Sequence, residues 1–570
     1  MIYSLAMQEF FIEGDIFMNN KDLANLLFPN VDKDLTYYEE KYPKRNLDSN
    51  ACVTRFAPSP TGRMHMGNLF ASFVPERFAH QTNGVFILRI EDTDDKRAID
   101  DGVNLIISDL KEYNYKVDEG PVNGGEYGPY IQSQRKDIYH AVAKYLVSIG
   151  RAYPCFCSED DLCHMREEQE TCKDRIGYYG KYAKCRNLSY EEVKKHIDNG
   201  DKWVLRLKSM GDFNKKFTFK DLIKGTIELP QNDLDQVLLK SDGVPPYAFA
   251  HVCDDHFMRV TTVTRDDSYI SSVPFHLELW NACGFEVPKF AHLLPLNKKD
   301  GEVVRKLSKR KDPEAAVAFY HERGIPVEAV KLYFATLLNS NFDEWFLQNQ
   351  DKNYNDFTFT FNKMCTSGGS LFDIEKLINI SKNYLSRLSA REMFDNLDNW
   401  SKEFDKDFNE LINKYKDYTI AVLNIEREQK KPRKDFACYS EIKNNIWYMY
   451  DEYYDTKSLN ELYDGIEFKV KDINLLETYV NEYYNSSDTN EEWFNKIKEL
   501  SFNNGYTDVK TYKQNPEMYK GHVGDVCELI RVVVTSKKET PNLYDILNIL
   551  GKDRIIKRIG MFKEYIGKLN

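Results

Sequence analysis

The sequence predicts an α/β protein: a doubly wound parallel sheet, interrupted by an inserted domain and followed by a mainly α-helical region. Three observations carry that expectation. Short apolar runs alternate with helical periodicity from Cys52 to Tyr113, and the pattern resumes from Tyr247 to Cys283, the order of strand, crossover helix and parallel strand. An irregular, cysteine-bearing stretch from about 120 to 245 separates the two halves. After about residue 320 helical periodicity dominates.

Taken in order, residues 1–50 read as an N-terminal helical extension. Leu23, Leu26 and Leu27 follow Asp22 as a short apolar face, and Pro29 and Pro43 punctuate it. Cys52 to Phe56 reads as a short buried strand, followed by a Pro/Gly-rich loop and a helix from about Asn68 to Gln81. Gly84 to Ile90 is almost wholly apolar, as a strand covered on both faces must be. A second helix spans about Ile99 to Tyr113. Within the irregular stretch, Trp203–Lys208 and Thr226–Leu229 have strand character. Val260–Thr264 and a helix from about Ser268 to Cys283 restore the α/β alternation. The last helix is predicted to be capped by Thr540, with Pro541 in its first turn. Leu543, Ile546, Leu547 and Leu550, then Ile555, Ile556, Ile559 and Phe562, recur at helical spacing.

A chain of 570 residues is too long for one core, so two to four domains are expected. With 42% hydrophobic and 29% charged residues, the composition is that of an ordinary globular protein. The net charge of -12 argues against nonspecific coating of nucleic acid, DNA included, while leaving local basic surface for RNA. No apolar run is long enough for a transmembrane helix, and Met1 to Met18 has acidic residues but no Lys or Arg, unlike a secretory signal. Eleven cysteines without a signal segment point to a reduced, cytoplasmic setting.

Two motifs carry chemistry. The first is P-S-P-T-G-R-M-H-M-G, Pro58 to Gly67, between a predicted strand and a helix. The prolines stiffen the loop and the glycines let backbone approach a ligand. His65 stands just before the helix, where free N–H groups and the dipole favour phosphate. By itself such a histidine reads first as a cap or a satisfied core residue. The second is R-K-L-S-K-R, Arg305 to Arg310, in a Lys-rich loop. Lys306 and Lys309 are spaced to close over a triphosphate, although an isolated basic loop is usually a solvated charge run.

Together these motifs resemble the H-x-G-H-type and K-M-S-K-S-type motifs of class I aminoacyl-tRNA synthetases, with Asn68 for the second histidine and Leu307 for the methionine. Longer segments are more specific: R-F-A-P-S-P-T-G, R-I-E-D-T-D from Arg89 to Asp94, L-L-K-S-D-G-V-P-P-Y-A-F-A-H-V-C-D-D-H from Leu238 to His256, and K-L-S-K-R. In this order and spacing they resemble the bacterial-type glutamyl-tRNA synthetases, closely over about Ala51 to Asp373 and more weakly beyond. The resemblance implies a Rossmann-type catalytic domain over 51–130 and 246–305 and an inserted acceptor-end-binding domain over 131–245. It further implies a stem-contact region with the K-M-S-K-S-type loop over 306–380, and a helical anticodon-binding domain over 381–570.

The implied reaction joins L-glutamate to tRNA(Glu) through a glutamyl-adenylate, with ATP and Mg²⁺ and without a covalent enzyme intermediate. The resemblance places His65, Lys306 and Lys309 in catalysis, and Thr61, Gly62, His65, Gly67, Asn68, Ser308, Lys309 and Arg310 around ATP. It places Arg55, Ser59, Glu91, Tyr247, His251 and Arg265 around glutamate, with Glu91 meeting the ammonium. Arginines suit a substrate with two carboxylates, although Arg55 and Glu91 could also be a simple ion pair. Two departures stand out: His251 replaces a frequent Asn, and Asp266-Asp267-Ser268-Tyr269 replaces a G-E-E-W-like segment. Asp254, Asp255 and His256 suggest a metal site or, more simply, solvated loop carboxylates.

Cys155, Cys157 and Cys185 match a C-x-C pair and later Cys that hold zinc in some related enzymes. Tyr182, His164 and Cys172 are the candidates for a fourth ligand, and free buried thiols are the alternative. The basic run Ile425 to Lys434, with Arg427 and Arg433, reads either as an anticodon-arm contact or as a solvated helix end. Rival functions are a glutaminyl-tRNA synthetase, whose anticodon-binding part is a β-barrel, a non-discriminating enzyme that also charges tRNA(Gln), and a noncatalytic RNA-binding paralogue. A monomer is expected.

Overall fold

The computed structural model describes residues 14–93, 99, 101–308, 310–349, 352–364, 370–468 and 471–569. They fall into two compact units, one within 1–317 and 331–373, the other within 318–330 and 374–570.

In the first unit, strand Val53–Phe56 pairs in parallel with Val85–Leu88, from Val53↔Val85 to Phe56↔Leu88. Helix Met66–Gln81 is the crossover between them. All four residues of the first strand are buried, as are Phe86, Ile87 and Leu88, which explains why both runs lack polar alternation. The second half repeats the unit: Thr262–Asp266 pairs in parallel with Lys289–Leu293 across helix Val273–Cys283. Thr261 ties the halves together, because its N–H donates to the Val53 carbonyl and its hydroxyl oxygen accepts from the Val53 N–H, both at 2.9 Å.

The expected insertion contains an antiparallel sheet of Ala152–Cys155, Val204–Leu207 and Val237–Leu239. Its hairpin, Lys216–Asp221 and Gly225–Pro230, does not stand apart. Asp221 pairs with Phe290, so the hairpin extends the edge of the parallel sheet. Helix Lys136–Ser148 is likewise part of the central core, where Val142 and Leu146 join Phe249, Leu279 and Trp280. Helices Gly14–Leu27 and Leu35–Lys41 of the N-terminal extension lead Leu27, Phe28, Tyr38 and Tyr42 into the same core.

The second unit is helical, and from residue 374 on no strand forms among its described residues. Its core includes Met393, Phe394, Leu397, Ile412, Leu529 and Ile546. The last helix corrects the expectation at three points. It begins at Leu543, and the Asn542 side chain, not Thr540, accepts a first-turn N–H, that of Asp545 at 3.3 Å. Gly551, at φ 78°, breaks it into two helices, a backbone state that favours glycine. Ile556 is 45% exposed, so the break moves it off the apolar face. No described helix is long and apolar enough to cross a membrane.

Candidate active site

Loops beyond the carboxyl ends of the parallel strands enclose a cavity of about 470 Å³. Arg55, Ser59, Glu91, Tyr247 and Arg265 line it together with Thr61, Gly62, His65 and Asn68. The structure therefore brings the two predicted groups, for an acidic amino acid and for a nucleotide, to one space.

His65 is the N-cap of helix Met66–Gln81, and its Nδ1 accepts the Asn68 N–H at 3.1 Å. An accepting Nδ1 leaves the proton of the neutral ring on Nε2, which is thereby a donor. Gly67 does not line the cavity. It makes room for the imidazole, since a Cβ there would lie 2.9 Å from the ring. Asp109, which the sequence did not single out, anchors the loop: it accepts the Met64 N–H at 2.7 Å and Arg63 Nη1 at 3.0 Å while only 1% exposed.

Asp254 and Asp255 correct the expectation of solvated or metal-binding loop carboxylates. They lie on helix Tyr247–Phe257 and both are fully buried. Asp255 accepts Arg55 Nε at 3.1 Å and Arg89 Nη1 at 2.5 Å. Asp254 accepts Arg135 Nε at 2.6 Å, Gln132 Nε2 at 2.8 Å and the Tyr139 hydroxyl at 2.9 Å. Burial alone would raise Asp255, yet Arg55 and Arg89 hold it well below the usual carboxylate range. His256 instead pairs with Glu39 of the N-terminal extension at 2.6 Å. Glu91 meets Arg89 Nη2 at 3.1 Å, and burial pushes it up to about 7 against the pull of Arg89 and Arg55. Arg55 is thus paired, but with Asp255 and not directly with Glu91. His251 sits behind the cavity, fully buried, its ring stacked on Tyr247 at 5.6 Å. Burial lowers it to about 4, so it is neutral at physiological pH.

Arg55, Arg89 and Arg135 are matched by Glu91, Asp254 and Asp255. Arg265 is not matched. It is 7% exposed, and its hydrogen-bond acceptors are His292 Nε2 at 3.0 Å and His276 Nδ1 at 2.9 Å. Its Nη2 has no hydrogen-bond partner among the described residues. A buried guanidinium in a cavity wall without a carboxylate partner is built to receive an anion. Tyr269, from the departing Asp266–Tyr269 segment, also lines the cavity and packs on Tyr247 at 5.5 Å.

Lys306, Ser308 and Arg310 do not line the cavity, and Lys309 lies outside the described residues. Lys306 Nζ pairs with Asp266 Oδ2, next to Arg265, at 3.0 Å, so its loop borders the site. The loop is pinned by buried Asp312, which accepts the Ser308 N–H at 3.0 Å and both terminal nitrogens of Arg305. Arg310 is exposed.

Cys155, Cys157 and Cys185 place their sulfur atoms within 4.8 Å of one another, the sole cluster of metal-ligand type among the described residues. None of the three candidates for a fourth ligand joins them. Tyr182 donates to Asp174 at 2.6 Å, Cys172 is exposed, and His164 is not in the group. The Tyr178 hydroxyl does approach, at 3.4 Å from the sulfurs of both Cys155 and Cys157.

In the second unit, Arg427 is not a free basic contact. Its Nε donates to the Leu423 carbonyl at 2.9 Å and its Nη1 to those of Leu385 and Leu388 at 2.7 and 2.9 Å. Arg433 pairs with Asp435 at 2.5 Å and Glu426 at 3.5 Å and stays 40% exposed.

A family model for the catalytic domain of class I tRNA synthetases (E and Q) matches residues 51–378, and one for an anticodon-binding domain matches 439–562. The chain is 47% identical to a glutamate–tRNA ligase of Acetivibrio thermocellus over 95% of its own length and 99% of that protein. It is 42% identical to one of Clostridium perfringens over 95% and 100%. A glutamate tRNA ligase of Elizabethkingia meningosepticum, crystallised in complex with its amino acid, superimposes with a TM-score of 0.72 at 26% identity, over 90% of this chain and 99% of that one. With a catalytic-domain match of this extent and such relatives along nearly its whole length, the chain belongs to the glutamate–tRNA ligase family of class I aminoacyl-tRNA synthetases.

Proposed function

We propose that the cavity binds L-glutamate and ATP side by side and that the enzyme makes glutamyl-adenylate there before loading tRNA(Glu). The observation that carries this is Arg265, a buried cation without a carboxylate partner among the described residues, in one cavity with a histidine at a helix N-terminus. The substrate's side-chain carboxylate fits Arg265, with Arg55 and Tyr247 beside it, and Ser59 contacts the amino acid. Its ammonium fits Glu91. The α-carboxylate then attacks the α-phosphorus of ATP and pyrophosphate departs. His65 Nε2–H and the first N–H groups of its helix donate to the phosphates. Thr61, Gly62 and Asn68 shape the nucleotide side, and Lys306 on its bordering loop draws the departing pyrophosphate. Mg²⁺, which neutralises phosphate charge, would enter with ATP. The terminal ribose hydroxyl of tRNA attacks the activated carbonyl, releasing AMP.

The region 131–245 would meet the acceptor end of tRNA, and the helical second unit the anticodon. Cys155, Cys157 and Cys185 offer three thiolates of suitable spacing for a structural zinc, with the Tyr178 hydroxyl as fourth donor. None of the ten described cysteines is in a disulfide, as a reducing, cytoplasmic setting would leave them. The absence of strands from the described residues after 374 favours the glutamyl over the glutaminyl enzyme. The test is ATP–pyrophosphate exchange with glutamate and glutamine compared, with and without tRNA. Exchange that follows glutamate supports the proposal; exchange that follows glutamine, or none with either, rejects it. Charging assays on tRNA(Glu) and tRNA(Gln) then separate the discriminating enzyme from the non-discriminating one.

A further inference from the structure

Arg265 is aimed by histidines where carboxylates would be the ordinary choice. Its Nε donates to His292 Nε2 at 3.0 Å and its Nη1 to His276 Nδ1 at 2.9 Å. Both histidines are buried, at 0% and 1% exposure. Behind His292, Asp221 Oδ2 lies 2.7 Å from Nδ1 and accepts a hydrogen bond from its N–H. That bond leaves Nε2 as the acceptor Arg265 needs. Asp221 itself is fixed, because it also accepts the backbone N–H groups of Ile223 at 2.9 Å and Lys224 at 2.8 Å. It comes from the inserted hairpin, and its pairing with Phe290 brings it next to His292.

We infer that His276 and His292, with Asp221 behind the latter, are specificity-determining positioning residues that hold Arg265 by neutral acceptors and so reserve its charge for the acidic side chain of the substrate. A carboxylate in either place would fix the guanidinium equally well but would neutralise it. The pocket would then have no electrostatic reason to prefer glutamate to glutamine, which has the same shape without the charge. The distance across His292 separates Asp221 from Arg265, so the fixed anion acts on the tautomer and does not form an ion pair. Among the described residues, no carboxylate forms a salt bridge with Arg265.

This inference rests on the reading of the cavity as the glutamate site. The test compares His276→Gln with His276→Glu in the full chain. Glutamine supplies a neutral acceptor oxygen; glutamate supplies a charged one. The readouts are kcat/KM for glutamate and for glutamine in ATP–pyrophosphate exchange with tRNA, the KM for ATP, and glutamate-dependent protection in thermal unfolding. His276→Glu is expected to lower the glutamate-to-glutamine ratio by about tenfold or more through the KM for glutamate, with the KM for ATP unmoved. His276→Gln is expected to retain the ratio. A merely structural role would lower the folded, active fraction in both variants without altering the ratio. An unchanged ratio in His276→Glu, or an equal fall in both variants, overturns the inference. Should His276→Glu not fold, Asp221→Leu is measured instead: removing the group that sets the His292 tautomer is expected to raise the KM for glutamate, and an unchanged KM overturns the inference. A wild-type enzyme without preference for glutamate would instead remove the reading of the cavity itself.

Discussion

Replacing Glu91 by Gln separates two consequences of one buried carboxyl. Glu91 is 9% exposed, and burial raises it from 4.5 to about 7 although Arg89 and Arg55 pull the other way. A carboxyl raised in the folded state adds no cost where both states are protonated, below about 4.5. The cost appears as the pH rises, and it is complete once the folded group ionises above about 7. A shift of that size corresponds to roughly 3 kcal/mol at about pH 8. Glutamine has no proton to lose and keeps an oxygen for Arg89. Glu91→Gln is therefore expected to melt higher than the wild type at about pH 8 and at nearly the same temperature near pH 4, where the wild-type group is protonated in both states. Substrate binding moves oppositely. Losing the anion opposite the ammonium removes about 1.5–3 kcal/mol, or roughly 10- to 150-fold in the KM for glutamate at about pH 8. That gap narrows as the pH falls and the wild-type carboxyl protonates. The assays are thermal unfolding without ligand and the KM for glutamate in exchange, both across this pH range. A variant that melts below the wild type at the upper pH refutes the burial account. A KM ratio that does not change with pH refutes the role of the charge.

Gly67→Ala places a Cβ 2.9 Å from the His65 ring, so kcat in exchange is expected to fall about 100-fold with the KM for glutamate little changed. Asp109→Ala removes the acceptor of the Met64 N–H and of Arg63 Nη1; the KM for ATP is expected to rise by roughly 1–3 kcal/mol in binding terms, read from ATP-dependent exchange. Elemental analysis is expected to find about one zinc per chain, lost in Cys185→Ser together with some thermal stability. Arg427→Ala leaves three backbone carbonyls of the second unit without their donor. It is expected to lower that unit's melting temperature, and an unaltered melt with weakened tRNA binding would restore the basic run as an RNA contact.

The elements that were legible in the sequence are those fixed by local pattern. The apolar runs around Phe56 and Ile87 became paired parallel strands because both of their faces are buried. His65 and Arg265 were reachable through motif resemblance, and both line the cavity. What was not legible depends on long-range partners. Asp255 lies 200 residues from Arg55, so nothing local distinguished a buried counterion from a solvated carboxylate. His276, His292 and Asp221 are spread over a helix, a strand and an inserted hairpin, and only the sheet edge brings them to Arg265. Tyr178 lies in a loop without any periodic signal, yet its hydroxyl reaches two of the cysteines. Arg427 read as surface charge because its three acceptors are backbone atoms, which no side-chain pattern announces. The break at Gly551 shows in the sequence only as one irregular step, Leu550 to Ile555, in an otherwise helical spacing, and the glycine's positive φ makes it a break.

The most direct measurement is a crystal structure of the chain with glutamate and an unreactive ATP analogue bound. The expected result has the side-chain carboxylate on Arg265, the ammonium at Glu91 and the α-phosphate beside His65. Glutamate seated in another cavity, or turned so that its side chain points away from Arg265, would contradict the account.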